Sequence, residues 1–168
     1  MPTKETGKLK VLKVMANGDR EIVMTRDFQA PRKMVYDAWT RPELLRRWLA
    51  GPSGWTMTTC EIDLKVGGSY RYQWTHDVNG SKMGMKGIYR EIVPHERLVA
   101  TEQFDESWYP GGAVTTTILS ENGGITTVET TVRYDTKEAR DGVLQSPMES
   151  GVAASYDRLE KLIETNFA

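Results

Sequence analysis

Glu102 is the residue whose type least suits its place. Over Arg97–Phe104, strict alternation sets it on the face of Leu98, Ala100 and Phe104. A carboxylate on an apolar face must be paired or protonated, and either state can read a polar group on a ligand. A slipped register would turn it to water instead, and the sequence leaves both open. The other side chains with chemical potential are aromatic. Tyr70, Tyr72 and Trp74 share one face of the clearest strand in the chain, Ser69–Thr75, with Arg71, Gln73 and Thr75 on the other. Tyr89, Trp108 and Tyr156 add large apolar bodies with polar tips. Seven Tyr and five Trp stand against three Phe, an inversion of what a plain core prefers, because each buried hydroxyl or indole N–H needs a partner. With flexible Met83 and Met85 beside them, these residues suit the wall of a partly hydrated ligand cavity.

Other chemistries find little to work with. The two histidines, His76 and His95, flank turns and have no Cys or second His at ligand spacing, so no metal site and no cofactor is expected. Cys60, the single cysteine, lies in a strand without an adjacent base and reads as inert packing; alone, it excludes an internal disulfide and suits a reducing compartment. Gly67-Gly68 and Gly123-Gly124 are turns. No dinucleotide fingerprint, phosphate loop or nucleophile elbow occurs. Thr130, between Val128 and Val132, also falls on an apolar face, but a threonine hydroxyl is readily satisfied.

Those side chains need elements to hold them. The chain has 168 residues and a net charge of −1, which suits one domain over 1–168 and gives no basic field for nucleic acid. No apolar run reaches the roughly twenty residues a bilayer requires, and no signal pattern opens the chain, so a cytoplasmic protein without membrane insertion is expected. The strongest element is the last. From Pro147, the residues Met148, Val152, Tyr156, Leu159 and Ile163 recur at helical steps within Ser146–Asn166. Upstream, Leu9–Met15 and Glu21–Phe28 flank the turn Asn17-Gly18-Asp19. Pro31 and Pro42 open two short helices that turn Met34, Val35, Ala38 and Trp39, then Leu44, Leu45, Trp48 and Leu49, inward. Strands over Thr56–Leu64, Ser69–Thr75, Lys82–Val93, Arg97–Phe104, Val114–Leu119 and Thr126–Tyr134 form a meander. Thr136–Gln145 reads as a short helix or loop, and Trp108–Gly112 as a loop carrying two aromatics.

In this order the chain resembles the helix-grip fold of the START-like (SRPBCC) superfamily, and within it the branch of activator of heat-shock chaperone ATPase homologues. Four stretches carry the resemblance. They are Arg26–Pro31 running into Val35–Thr40, Pro42–Leu44 and Trp48; Asp63–Tyr70; Gly87–Pro94 with Glu96–Leu98; and the closing helix with Gly151 ahead of Leu159 and Leu162. The resemblance implies an α+β fold in which a curved antiparallel sheet of six to seven strands grips the long helix and leaves an apolar cavity. The core spans about 21–166, with 1–20 an N-terminal extension and extra hairpin strand. It implies a container for a small hydrophobic or aromatic molecule, lipid-like or polyketide-like, held between the Tyr70/Tyr72/Trp74 face and the Met148/Val152/Tyr156 stripe. Trp48, Met83, Met85, Tyr89, Glu102 and Phe104 complete the candidate set, and Trp108 and Tyr109 sit on a lid loosened by Gly111-Gly112. Two other functions follow from the same resemblance. One is a cyclase- or dehydratase-type enzyme, with Glu102, Tyr72 and Tyr89 transferring protons. The other is a co-chaperone contacting a heat-shock chaperone, a partner disfavoured because the chain has no segment for the two-domain activator's separate N-terminal domain. Monomer and homodimer remain equally open.

Overall fold

A computed structural model describes residues 11–107, 109 and 111–167. Eight strands form one antiparallel sheet in the order β1-β2-β8-β7-β6-β5-β4-β3. They are β1 (Lys13–Asn17), β2 (Glu21–Phe28), β3 (Trp55–Ile62), β4 (Ser69–His76), β5 (Lys82–Val93), β6 (Arg97–Phe104), β7 (Ala113–Asn122) and β8 (Ile125–Tyr134). Helices α1 (Arg32–Thr40) and α2 (Pro42–Trp48) carry the chain from β2 to the far edge at β3. The remaining strands then return one neighbour at a time until β8 closes against β2. Helix α3 (Lys137–Leu144) follows, and α4 (Met148–Glu164) ends the fold. This is the helix-grip architecture, with one strand more than the six to seven expected for the sheet, supplied by the N-terminal hairpin.

Local chemistry accounts for the boundaries. Pro42 occupies the first turn of α2, where a missing N–H costs nothing. The Thr136 hydroxyl caps α3 by accepting from the Ala139 N–H. Gly123 and Gly124, both at positive φ, make the two-residue turn that sets β7 against β8. The first strand runs Lys13–Asn17 rather than Leu9–Met15. The residues Asn17 and Glu21 pair directly, so Asn17 belongs to the ladder and the loop is Gly18–Arg20. The residues Leu9 and Lys10 lie outside the described ones.

Alternation divides the sheet as its pattern predicts. On β2 the inner face carries Ile22, Met24, Arg26 and Phe28, all buried, and on β8 it carries Val128, Thr130, Val132 and Tyr134. Arg26 is the surprise, a cation 3 % exposed on a core face. Its guanidinium reaches up to α4, 3.1 Å from Asp157 and 3.6 Å from Glu160, and lies over the Phe28 ring. A second buried arginine, Arg140 on α3, donates to the Gly18 and Glu21 carbonyls and fastens the N-terminal hairpin.

Candidate functional site

The described residues line a cavity of about 980 Å³ between the sheet and α4, open to solvent on one side. One wall is the aromatic run of β4 with its neighbours on β5. The rings of Tyr70 and Tyr72 lie 4.8 Å apart, those of Tyr72 and Trp74 6.3 Å, and those of Tyr70 and Tyr89 5.7 Å. The opposite wall is the N-terminal half of α4, with Met148, Val152, Ser155 and Tyr156. Trp39 and Trp48 close one side; Tyr156 meets both, at ring separations of 5.7 and 6.0 Å. The exposed lining residues mark the rim: Pro52-Ser53, Met83, Phe104, Pro147, Ser150-Gly151 and Ala154.

The polar tips of Trp48, Tyr70, Tyr72, Trp74 and Tyr89 are already occupied. The Trp48 indole N–H donates to the Ala38 carbonyl and that of Trp74 to the Leu49 carbonyl, each at 2.9 Å. The Tyr70 hydroxyl donates to the Thr101 carbonyl at 2.7 Å, and Tyr72 and Tyr89 share a hydrogen bond. Tyr70 reaches Thr101 by crossing Gly87. A Cβ there would collide with the Tyr70 ring and the Thr101 carbonyl, so the crossing requires glycine. The aromatic wall therefore presents ring faces, and the wet cavity that the tyrosine tips suggested is on this side an apolar one. Burial raises all three phenols, Tyr89 to about 12 and Tyr70 and Tyr72 well above their ordinary value. They hold their protons at neutral pH.

Glu102 faces inward. It lines the cavity, accepts from the Thr115 hydroxyl at 3.2 Å, and is raised above the ordinary carboxylate value by desolvation, against a smaller lowering by Thr115. It also borders a smaller, outward-facing depression of about 660 Å³, and Tyr70 and Glu102 alone line both. The β5–β6 pairing keeps one register from Lys86 opposite Gln103 to Tyr89 opposite Ala100 and shifts only beyond them, between Tyr89 and Glu91.

A family model described as "Activator of Hsp90 ATPase homolog 1-like protein" matches residues 29–164. The chain belongs to that family. A crystal structure from Rhodobacter sphaeroides is similar, with 30% sequence identity and a TM-score of 0.87, over 92% of this chain and 99% of that one. A Chromobacterium violaceum protein is 28% identical with a TM-score of 0.70, covering 86% and 97% of the two chains. A Mycobacterium smegmatis protein shares the fold at 19% identity and a TM-score of 0.80, over 93% and 99%. Among curated proteins, no sequence matches.

Within this family fold, the structure brings together Trp48, Tyr70, Tyr72, Trp74, Met83 and Met85. Tyr89, Glu102, Phe104, Met148, Val152 and Tyr156 line the same space. Trp108 lies outside the described residues. Tyr109 is not a lid residue. It is buried, packs edge-on against Tyr134 and does not line the cavity. Cys60 is buried on β3, its thiol pushed up to about 11 by desolvation, and among the described residues no three His, Cys, Asp or Glu side chains gather to hold a metal. Sequence reasoning did not include Met24, Trp39, Thr115 or Thr117 in the site, although all four line it. Alternation sets Thr115 and Thr117 with Leu119 on one face and Val114, Thr116 and Ile118 on the other, so the sequence does not signal which face turns inward. Thr130 departs from expectation more sharply. Its hydroxyl is buried and has no hydrogen-bond partner.

Proposed function

We propose that this protein binds a small hydrophobic or aromatic molecule in the cavity between the sheet and α4. The observation that carries the reading is a space of about 980 Å³ whose aromatic walls have spent their polar tips on the protein itself. Ligand sites are concave, mainly apolar and hold a few polar groups that fix orientation. A space of this size would strip an apolar guest of most of its water, the dominant favourable term in such binding. Native mass spectrometry of the purified protein, with a denatured control, tests it. A defined extra mass lost on denaturation supports the reading. A bare protein that also fails to take up added naphthalene or 2-naphthol counts against it.

A second reading has one observation behind it. Glu102 is an inward carboxyl with a raised pKa, the kind of group that can exchange a proton with a bound molecule. In a cyclase- or dehydratase-type reaction it would be the acid or base. Tyr72 and Tyr89, held protonated by burial, would serve only to orient the substrate through the network they share. Turnover lost in Glu102→Gln with ligand affinity retained would favour this reading over plain binding.

A further inference from the structure

The apolar walls do not explain the floor. On β6, β7 and β8 the cavity is faced by Glu102, Thr115, Thr117 and Thr130, where a hollow meant only for hydrocarbon would carry Val or Leu. The sheet register groups them. Thr117 and Thr130 are directly opposed across β7 and β8, Thr115 lies opposite Ala100, and the Thr115 hydroxyl donates to Glu102. Thr130 is 7 % exposed, and its Oγ1 completes no hydrogen bond even though the Tyr156 hydroxyl lies beside it. Nearly all buried hydroxyls find a partner, and one left without is unfavourable. That hydroxyl is closed off from the cavity; its neighbour Thr117, 5 % exposed and without a hydrogen bond among the described residues, offers a guest the nearer polar contact.

Charge narrows what that partner is. No Lys, Arg or His on the described sheet strands lines the cavity. Its one cation, Arg158, is on α4, beside the exposed Asp157. A carboxylate guest lying on the floor would meet Glu102 with no opposite charge among the floor residues. A neutral hydroxyl or carbonyl can instead accept from Thr117, and a hydroxyl can donate to Glu102.

We propose that the threonine–glutamate floor makes the cavity selective for an uncharged, oxygen-bearing apolar molecule, such as a hydroxylated aromatic, over both the plain hydrocarbon and the corresponding carboxylate. The inference rests on the binding reading above and adds the class of ligand. Three probes of one shape test it at neutral pH by equilibrium dialysis: naphthalene, 2-naphthol and 2-naphthoate. The wild type binds 2-naphthol about 5-fold or more tighter than naphthalene, the scale of one or two net hydrogen bonds, and binds 2-naphthoate most weakly. In Thr117→Val, whose folding is checked by its thermal melt, the naphthol-to-naphthalene preference falls by about 3-fold or more. Equal affinity for all three probes overturns the selectivity while leaving the cavity reading intact. A preference unchanged by Thr117→Val overturns it too. Failure of every probe to bind removes the cavity reading, and this inference with it.

Discussion

Helix α4 is two different elements joined at Tyr156. Its C-terminal half buries Leu159, Leu162 and Ile163 and is fastened by Arg26 to Asp157 and Glu160. Its N-terminal half holds Met148 and Val152 over open space and leaves Gly151 and Ala154 exposed. The sheet beneath changes in step. Ile22, Phe28 and Val128 fill the first region at 0 to 1 % exposure, while the aromatic and methionine residues of β4 and β5 border the second. A continuous apolar stripe thus serves as core at one end and as ceiling at the other. What separates them is the shape of the opposing residues: aliphatics interlock with a helix, whereas rings standing side by side and bonded at their edges hold a surface apart from it.

The largest expected contrast is between positions on the same stripe. Leu159→Ala should lower unfolding free energy by about 4 kcal/mol, because the site cannot collapse. Val152→Ala, which enlarges a space already present, should cost less than about 1 kcal/mol. Urea denaturation measures both, and equal losses would erase the distinction. Arg26→Ala comes next, at about 3 kcal/mol, since it strands the largely buried Glu160 carboxylate without its cation. Asp157 is mostly solvated and should contribute little to that figure.

On the hollow side, effects should appear in binding. Tyr72→Ala is expected to weaken 2-naphthol binding about 10-fold, as loss of a buried aromatic anchor does. Arg71→Ala should change it less than about 2-fold, because Arg71 points outward and is held by Asp105 through two contacts of 2.6 and 2.7 Å. Similar losses at both positions would place the ligand elsewhere. The smallest effect is one of pH. Burial holds the Glu102 carboxyl above its ordinary 4.5 in the folded state, so the folded protein binds that proton more tightly than the unfolded chain. Its contribution to stability is complete below 4.5 and is lost as pH rises through the raised folded value. Glu102→Gln should remove that decline. Melting temperatures of the two proteins between acid and neutral pH should therefore diverge in favour of the variant as pH increases. Parallel curves would show that the carboxyl is not desolvated.

Much of this arrangement can be read from residue order. Strict alternation over Ser69–Thr75 places Tyr70, Tyr72 and Trp74 on one wall, and the helical stripe from Met148 to Ile163 gives the ceiling, because both follow from backbone period alone. Glu102 can be recognised as out of place but not as inward, since a single bulge would reverse it and only the pairing with Ala113 fixes its side. Arg26 has the same ambiguity, and the sequence marks it only as part of a motif. Its burial depends on acids 131 and 134 residues further along the chain. The hollow itself is invisible in sequence, because Val152 and Leu159 are alike as letters and differ only in what stands opposite them. The missing hydroxyl partner of Thr130 likewise depends on the Tyr156 hydroxyl lying beside it without completing a bond.

The methionines offer the most direct test of the hollow. Met24, Met83, Met85 and Met148 line it, while Met15 on β1 and Met34 on α1 do not. Methyl-labelled methionine spectra recorded during titration with 2-naphthol would report on each position separately. The four cavity signals should shift together and saturate at one dissociation constant while Met15 and Met34 stay in place. Stationary cavity signals, or shifts centred on Met15 and Met34, would contradict it.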